Sequence, residues 1–399
     1  MAVTIHQNPQ KFATASNPVV FTFSSDETAQ DNFSYIVEVY INASLHSTHQ
    51  IFQQSGIYAK FNTSEINRAL LSSPLITDGS LINVYSDAFD ALYLIVYEQY
   101  GDPVAIEASA QTNQITVFNG ALRHQEFINW DYEDYNVSTE NPQGSGILYL
   151  TSFPRDRKYF CGLLERMFLG FISDDTSLRV DIRLYNAADG LIVSSLGNVI
   201  TYQKLTVLDV SPQTIIDNTA ITSGNFSTCA YYTVRSNGNG SGPTPGRSEV
   251  FRIDIDNECQ QYETRRLHWL NKFGVWDSFT FSLVSIESTT VEGNTYSREK
   301  GIWNDDQYEY NLYRGELTTF SKKAEDTLII NSDFIHQSVQ QWLVRECYES
   351  PNVYLETADG FEPVNIVNKD YTLKQKRKDG LIQEQVTIKK TYSYNTQLN

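Results

Sequence analysis

A chain of 399 residues has room for two or three domains. Its 41% apolar residues, with 25 Tyr, 21 Phe and 5 Trp, exclude a disordered polymer and favour strands. A net charge of −18 excludes a general nucleic-acid binder, which needs a basic footprint, and the sequence shows no apolar run of the ~18 residues that a membrane span requires.

In chain order, Asn17–Phe23 opens on a turn signal and continues as a short apolar strand. Phe33–Ile41 alternates, with Phe33, Tyr35, Val37, Val39 and Ile41 on one face. Asn62-Thr-Ser-Glu65 has capping-box spacing and predicts a short helix over 63–71 that stops before Pro74. Leu92–Tyr97 reads as a buried strand, Tyr100-Gly-Asp-Pro103 as a turn and Thr112–Phe118 as another strand. A second module repeats this grammar. Leu178–Tyr185 is a strand, and Asn186–Gly190 a hairpin turn with positive φ expected at Gly190. Lys204–Val210 runs into Ser211-Pro212, with Pro at the first helical position. Tyr231–Arg235 and Val250–Ile255 are strands around an exposed Gly/Ser/Pro loop, Asn237–Gly246.

Two pairs of segments echo one another: Ile57–Leu71 with Thr201–Ile216, and Leu122–Tyr135 with Arg265–Phe279. The second pair places Arg, His and Asn ahead of Trp-Asp in each copy, which predicts a degenerate tandem repeat of a sandwich plus an aromatic hairpin. Beyond Ser285 the pattern changes. Thr295–Phe320 is tyrosine-rich and polar, a long hairpin or arm, and Thr327–Asn331 is a strand. Ser332 is placed to cap a helix over 333–348 with Ile335, Val339, Trp342 and Leu343 as its apolar stripe. Short strands follow at 353–355, 363–367, 370–374 and 381–389. The expected organisation is a first sandwich at 1–135, a connecting segment at 136–177, a second sandwich at 178–288 and a C-terminal α+β docking domain at 289–399.

The charge is uneven. Residues 366–399 carry seven basic and three acidic side chains, which leaves −22 on residues 1–365. Cys161, Cys229, Cys259 and Cys347 are scattered without a C-x-x-C pair, so buried reduced thiols are expected rather than zinc ligands or disulfides. MAVTIHQNPQ lacks a basic and an apolar region, so no signal peptide is expected.

Several clusters invite chemistry. Asp254, Asp256 and Glu258 stand at i, i+2, i+4 and could ligate Ca²⁺, but lack the glycine-turned spacing of a calcium loop; a solvated acidic face is the competing reading. Asp131, Glu133 and Asp134 among Trp130, Tyr132 and Tyr135 could serve a glycoside hydrolase, although nothing fixes their separation. His46 and His49 lack a third metal ligand. No nucleophile elbow or phosphate loop is present. Lys374, Lys376, Arg377 and Lys378 form a basic run suited to phosphate, to an acidic subunit face or to solvent. Neither a catalytic residue nor a metal or cofactor is expected.

Arg265–Phe281, RRLHWLNKFGVWDSFTF, resembles a W-L-N-x-x-G-x-W/F-D-x-F-x-F segment of tail and neck structural proteins of tailed bacteriophages, notably crAss-like and related phages of Bacteroidota. Phe334–Tyr348, Glu349–Tyr354, Phe361–Ile366, the ending Tyr392–Asn395 and Asn17–Phe21 are similar to the same proteins. The resemblance implies a mostly β chain of tandem Ig/fibronectin-like β-sandwiches followed by a small α+β domain with one prominent helix. It also implies a virion structural protein, not an enzyme, forming a homo-oligomeric ring or collar in the tail and contacting other tail or neck proteins. It would be assembled in the host cytoplasm, with no membrane partner and at most passing genomic DNA in a lumen. Trp269, Phe273, Trp276 and Trp342, with Lys374, Lys376, Arg377 and Lys378, are the expected assembly interface. The competing functions are a carbohydrate-binding, adhesin-like tail component and a β-rich glycoside hydrolase.

Overall fold

Alternation of β-branched and aromatic residues builds the first sandwich. Strand Ser34–Ile41 turns Tyr35, Val37 and Val39 fully inward, opposite Glu98, Val96 and Leu94 of strand Phe89–Tyr100. Their sheet runs Phe12–Thr14, Ile115–Phe118, Phe89–Tyr100, Ser34–Ile41, Ser44–Ile51, with Ala105–Gln111 also paired to Phe89–Tyr100. Thr4–Gln7, Val20–Ser24 and Tyr58–Asn62 form the facing sheet, and Phe21, Phe23 and Ala59 close the core against the first. The computed structural model describes residues 3–54, 56–75, 77–138, 146–174, 177–196, 200–201, 204–238, 247–256, 262–310, 315–368, 370–374 and 380–395. The chain is mostly β, 49% strand and 12% helix.

The larger sheet of the second sandwich repeats the five-strand order of the first, whereas the smaller sheets take their third strand on opposite edges. One sheet runs Tyr159–Cys161, Phe251–Ile255, Tyr231–Gly238, Ser177–Tyr185, Leu191–Leu196; the other runs Phe168–Ile172, Leu205–Asp209, Ile82–Val84. In both sandwiches the outermost strand of the larger sheet pairs in parallel, Phe12–Thr14 with Ile115–Phe118 and Tyr159–Cys161 with Phe251–Ile255. In both, a strand of the smaller sheet feeds a short helix: Tyr58–Asn62 into Ser64–Leu70, and Leu205–Asp209 into Pro212–Asn218. The echo between Ile57–Leu71 and Thr201–Ile216 is therefore a repeat of structure.

The boundaries differ from those expected. Residues 136–177 are not simply a connector: they contain Tyr159–Cys161 and Phe168–Ile172, and every residue of the latter is buried. A continuous apolar run is what a strand covered on both faces looks like, and it gives no alternation to read. Ile82–Val84 leaves the first module to pair antiparallel with Leu205–Asp209 of the second. The compact units are Met1–Asn257 with Leu270–Ser278, which holds both sandwiches, and Glu258–Trp269 with Phe279–Asn399. The hairpin around Gly274 is thus divided between units, its tip belonging to the first.

In the second unit a sheet runs Trp276–Phe281, Arg265–Leu270, Val353–Thr357, Gly360–Ile366, Gln385–Asn395, Leu317–Asn331, Ile286–Ser297, its first strand beginning in the sandwich unit. Helix Gln337–Glu349 packs Trp342 against Trp269 (5.1 Å) and Phe279 (6.4 Å). It starts later than expected. Ile335 and His336 pair with Ile382 and Leu381, and His336, not Ser332, caps the helix by accepting from the Ser338 amide. The Ser332 hydroxyl instead accepts from the Glu384 amide at 2.8 Å. Residues 370–374 form no strand. In the Asn186 turn, positive φ falls on Asp189 rather than Gly190, because the Asn186 carboxamide oxygen accepts from the amides of Ala188 and Gly190. The loop residues 239–246, Cys259 and residues 375–379 lie outside the described residues.

Candidate functional site

Within the sandwich unit the tip of the aromatic hairpin is a crossing point. Asn271 shapes it. Its side-chain oxygen accepts from the Phe273 amide (2.9 Å) and the Val275 amide (3.3 Å), and its side-chain nitrogen donates to the Leu150 carbonyl (2.9 Å). Gly274 takes φ +74°, and a Cβ there would overlap the Asn119 carbonyl oxygen. The Ala121 amide donates to the Lys272 carbonyl (2.7 Å), and the Trp276 indole donates to the Pro74 carbonyl (3.1 Å). On the other side Val275 fills the space over Gly170, and the Thr151 hydroxyl donates to the Asp277 carboxylate (3.0 Å). The tip therefore bonds to segments of both sandwiches.

Beside it lies a cleft of about 340 Å³ lined by Glu126, Trp130, Asp131, Asp134, Lys272 and Phe273, among others. Lys272 forms an ion pair with Glu126 at 2.8 Å. Burial alone would raise the Glu126 carboxyl, but the Lys272 hydrogen bond and charge outweigh it and hold the group below its usual range. Trp130 is not a sugar platform. It is buried, stacked on Tyr135 (4.9 Å), and its indole donates to the Phe12 carbonyl (3.2 Å). Asp131 accepts from the Glu133 amide and caps the turn Tyr132–Asp134. Leu122–Tyr135 is a helix, His124–Ile128, followed by that turn, so it does not repeat the hairpin it echoes. The echoing segments instead touch, Trp130 against Phe273 at 6.1 Å.

Each expected interface aromatic is core. Trp269, Phe273, Trp276 and Trp342 are all under 5% exposed, packed within their own units, so the intact chain presents none of them to a partner. Lys374 pairs with Glu384 at 2.8 Å; Lys376, Arg377 and Lys378 lie outside the described residues. Asp254 is bound by Arg252 (2.8 Å) and Lys158 (3.4 Å), and Glu258 lies outside the described residues. His49 packs at a tilt on Phe61 and bonds Ser47, while His46 is exposed. Among the described residues no three His, Cys, Asp or Glu side chains converge to hold a metal, and no helix is long and apolar enough to cross a membrane.

Two polar clusters lay outside the sequence reading. Asp209 is fully buried, accepting from Arg166, Ser211 and Thr214; burial dominates and pushes its carboxyl up despite these partners. Arg166 comes from the expected connector, so no local spacing foretold the pair. In the second unit Glu356 accepts from buried His268 (2.8 Å) and lies 3.8 Å from Arg266.

Among the described residues the arm stands exposed. Ile286–Ser297 pairs along its whole length with Leu317–Asn331, and every one of its residues is exposed. Among the described residues, the third strand Gln385–Asn395 reaches the arm only along 323–331, its other edge pairing with Gly360–Ile366. Beyond Lys322 the hairpin carries Tyr296, Trp303, Tyr310, Leu317 and Phe320 into solvent, Tyr310 at 75% exposure. The tyrosine-rich composition of Thr295–Phe320 was the signal for it.

No protein-family model matches the chain, and no curated protein matches it. Among solved structures it is similar to the Dpr2 Ig1–Ig2 fragment in complex with DIP-Theta Ig1–Ig3, at 8% identity over 83% of this chain and 95% of that one, with a TM-score of 0.19. It is also similar to a marsupial T cell receptor, at 8% identity over 82% of this chain and 96% of that one, with a TM-score of 0.20. Overlaps this weak carry no functional argument.

Proposed function

We propose that the chain is a non-enzymatic structural protein of a bacteriophage tail or neck, of the kind found in crAss-like and related phages of Bacteroidota. It self-assembles into a ring or collar and connects neighbouring virion proteins. The observation that carries this reading is the arm. A two-stranded hairpin is marginal in water without a third strand or a packed face. Here its outer half has neither among the described residues, yet it bears Trp303, Tyr310, Leu317 and Phe320 at 45–75% exposure. Such an element gains its missing burial from another molecule. The acidity suits a lumen along which DNA passes: residues 1–135 carry 15 acidic and four basic side chains, and like charge keeps DNA from sticking.

A glycan-binding role is the second reading. It is favoured by the outer face of the first sandwich, where Tyr40 and Tyr97 both donate to Glu38 and Tyr40 stacks on Tyr93. Negative-stain microscopy of the purified protein tests the first reading. Rings of fixed symmetry are expected, and they should be lost when residues 298–316 are replaced by a two-residue turn. Monomers at all concentrations, with specific binding on a glycan array, would overturn it.

A further inference from the structure

The larger sheets of the two sandwiches have equivalent outer faces with different chemistry. On the first, Tyr40 lies opposite Tyr93 and Ile36 opposite Tyr97. The Tyr40 and Tyr93 rings stack at 5.0 Å and 6°. Glu38, opposite Ile95, is the central charge of that face, accepting from the hydroxyls of Tyr40 (3.0 Å) and Tyr97 (3.1 Å). On the second, Tyr185 lies opposite Tyr231, and their rings stack at 4.9 Å and 11°. Arg252 covers Tyr231 at 3.6 Å, and Arg183 stands half exposed on the same face. The strand alternation that buries Val180, Ile182, Leu184, Tyr232, Val234, Phe251 and Ile253 turns Arg179, Arg183, Arg235 and Arg252 outward, against Asp181 and Asp254. So one face is tyrosine and isoleucine around a carboxylate, and the other is tyrosine under an arginine surplus, in a chain of net −18.

We propose that these faces dock on each other between copies: the Glu38 face of one chain against the Arg183–Arg252 face of the next. Three observations fix the occupant as a second copy. The faces are complementary in charge. They belong to sheets of the same strand order, so they match in strand layout. Residues 1–135 carry −11 while 136–257 carry −2, so the chain is polarised along its two modules. Tyrosine and arginine are the side chains that anchor interfaces. A contact between different patches is heterologous, so it propagates into a closed ring or an open filament rather than ending at a dimer. The proposal specifies the lateral contact of the ring proposed above and rests on that reading.

The test uses the full chain in two variants, Glu38→Arg and Arg183→Glu/Arg252→Glu, followed by light scattering and analytical ultracentrifugation at 50 and 500 mM NaCl. Because Arg183 and Arg252 also bind Asp181 and Asp254, an Arg183→Gln/Arg252→Gln variant accompanies them, and a melting temperature within a few degrees of wild type establishes folding. Wild type is expected to form large oligomers that shrink at high salt. Each variant alone is expected to be monomeric, with at least a tenfold loss of affinity. Mixed in equal amounts, the two variants present native faces to each other and charge-reversed faces to each other, so oligomers of alternating variants should re-form. Oligomers that persist in either variant overturn this contact while leaving ring formation standing. Wild-type monomers under every condition overturn both. Loss of glycan-array binding in Glu38→Arg, with assembly unchanged, assigns the face to sugar and overturns the contact.

Discussion

Gly274→Ala tests the crossing point most directly. Two costs add. A non-glycine residue held at φ +74° costs about 1–2 kcal/mol. The second cost is steric: the new Cβ would overlap the Asn119 carbonyl oxygen and approach its carbonyl carbon to 2.6 Å, and backbone cannot yield as a side-chain tip does. The tip must withdraw, and withdrawal breaks the Ala121–Lys272 and Asn271–Leu150 bonds. Asn271 and Leu150 are buried, so loss of their bond leaves buried polar groups unpaired, at about 1–3 kcal/mol, whereas the Ala121 amide can turn to water. The expected total is roughly 2–5 kcal/mol, read as a lower urea midpoint in the transition of the sandwich unit. Gly56→Ala is the control: φ is +59° but nothing lies within 4 Å of its Cβ, so only the backbone cost of about 1 kcal/mol applies. Gly274→Asn separates the two costs, since asparagine tolerates positive φ. If Gly274→Asn is as stable as wild type, the close approach to Asn119 is not what excludes other residues, and the reasoning fails.

Trp276→Ala should cost about 3–5 kcal/mol in the same assay, from the cavity and the orphaned Pro74 carbonyl, and should leave any oligomer intact once folded. Glu126→Gln should cost about 0.5 kcal/mol at pH 7, because the pair is partly exposed. The folded-state carboxyl is held low, so its contribution is present above the usual carboxylate range and lost as pH falls through it. Denaturation curves of wild type and variant should therefore converge only in acid, once pH has fallen below the depressed folded-state value. Arg166→Met leaves Asp209 buried without its cation and should cost about 3–5 kcal/mol at pH 7. Burial already holds the Asp209 carboxyl high and loss of the guanidinium raises it further, so the loss should shrink as pH is lowered and grow as it rises, and a pH-independent loss would contradict this.

Much of the sandwich architecture was legible because it is local. Strand Ser34–Ile41 alternates, and its inward set is the one that the period of two assigns. The strand-to-helix repeat was legible because Asn62–Glu65 and Ser211-Pro212 mark helix starts in the chain itself, although the expected capping box does not form: Thr63 is the N-cap of the first helix and makes no side-chain cap bond. Non-local choices were not. Ile82–Val84 carries no sign that it completes a sheet 120 residues later. Nor does the stripe Val339, Trp342, Leu343 show that the strand pair Ile335–His336 with Leu381–Ile382 will delay the helix. Trp269, Phe273 and Trp276 were expected at an interface because large rings serve cores and interfaces alike; composition does not distinguish them, and only burial does. The lasting signal in that block was its smallest residue, Gly274, whose lack of a Cβ admits the Asn119 carbonyl.

The arm offers a reporter that needs no label. The chain has five tryptophans, and Trp130, Trp269, Trp276 and Trp342 are each under 10% exposed. Trp303, on the arm, is 59% exposed. In the unassembled chain, acrylamide should quench one class of emission near that of free indole, and Trp303→Phe should remove that class alone without shifting the melting temperature, since the ring packs on no core. If the arm is where a neighbouring molecule supplies the missing burial, assembly must move the Trp303 emission to shorter wavelength and cut its quenching several-fold, while the other four stay as they were. An assembled particle in which Trp303 quenches as freely as in the monomer would mean that the arm remains in water. The marginal stability of its outer strands would then need an explanation inside the chain rather than in a partner.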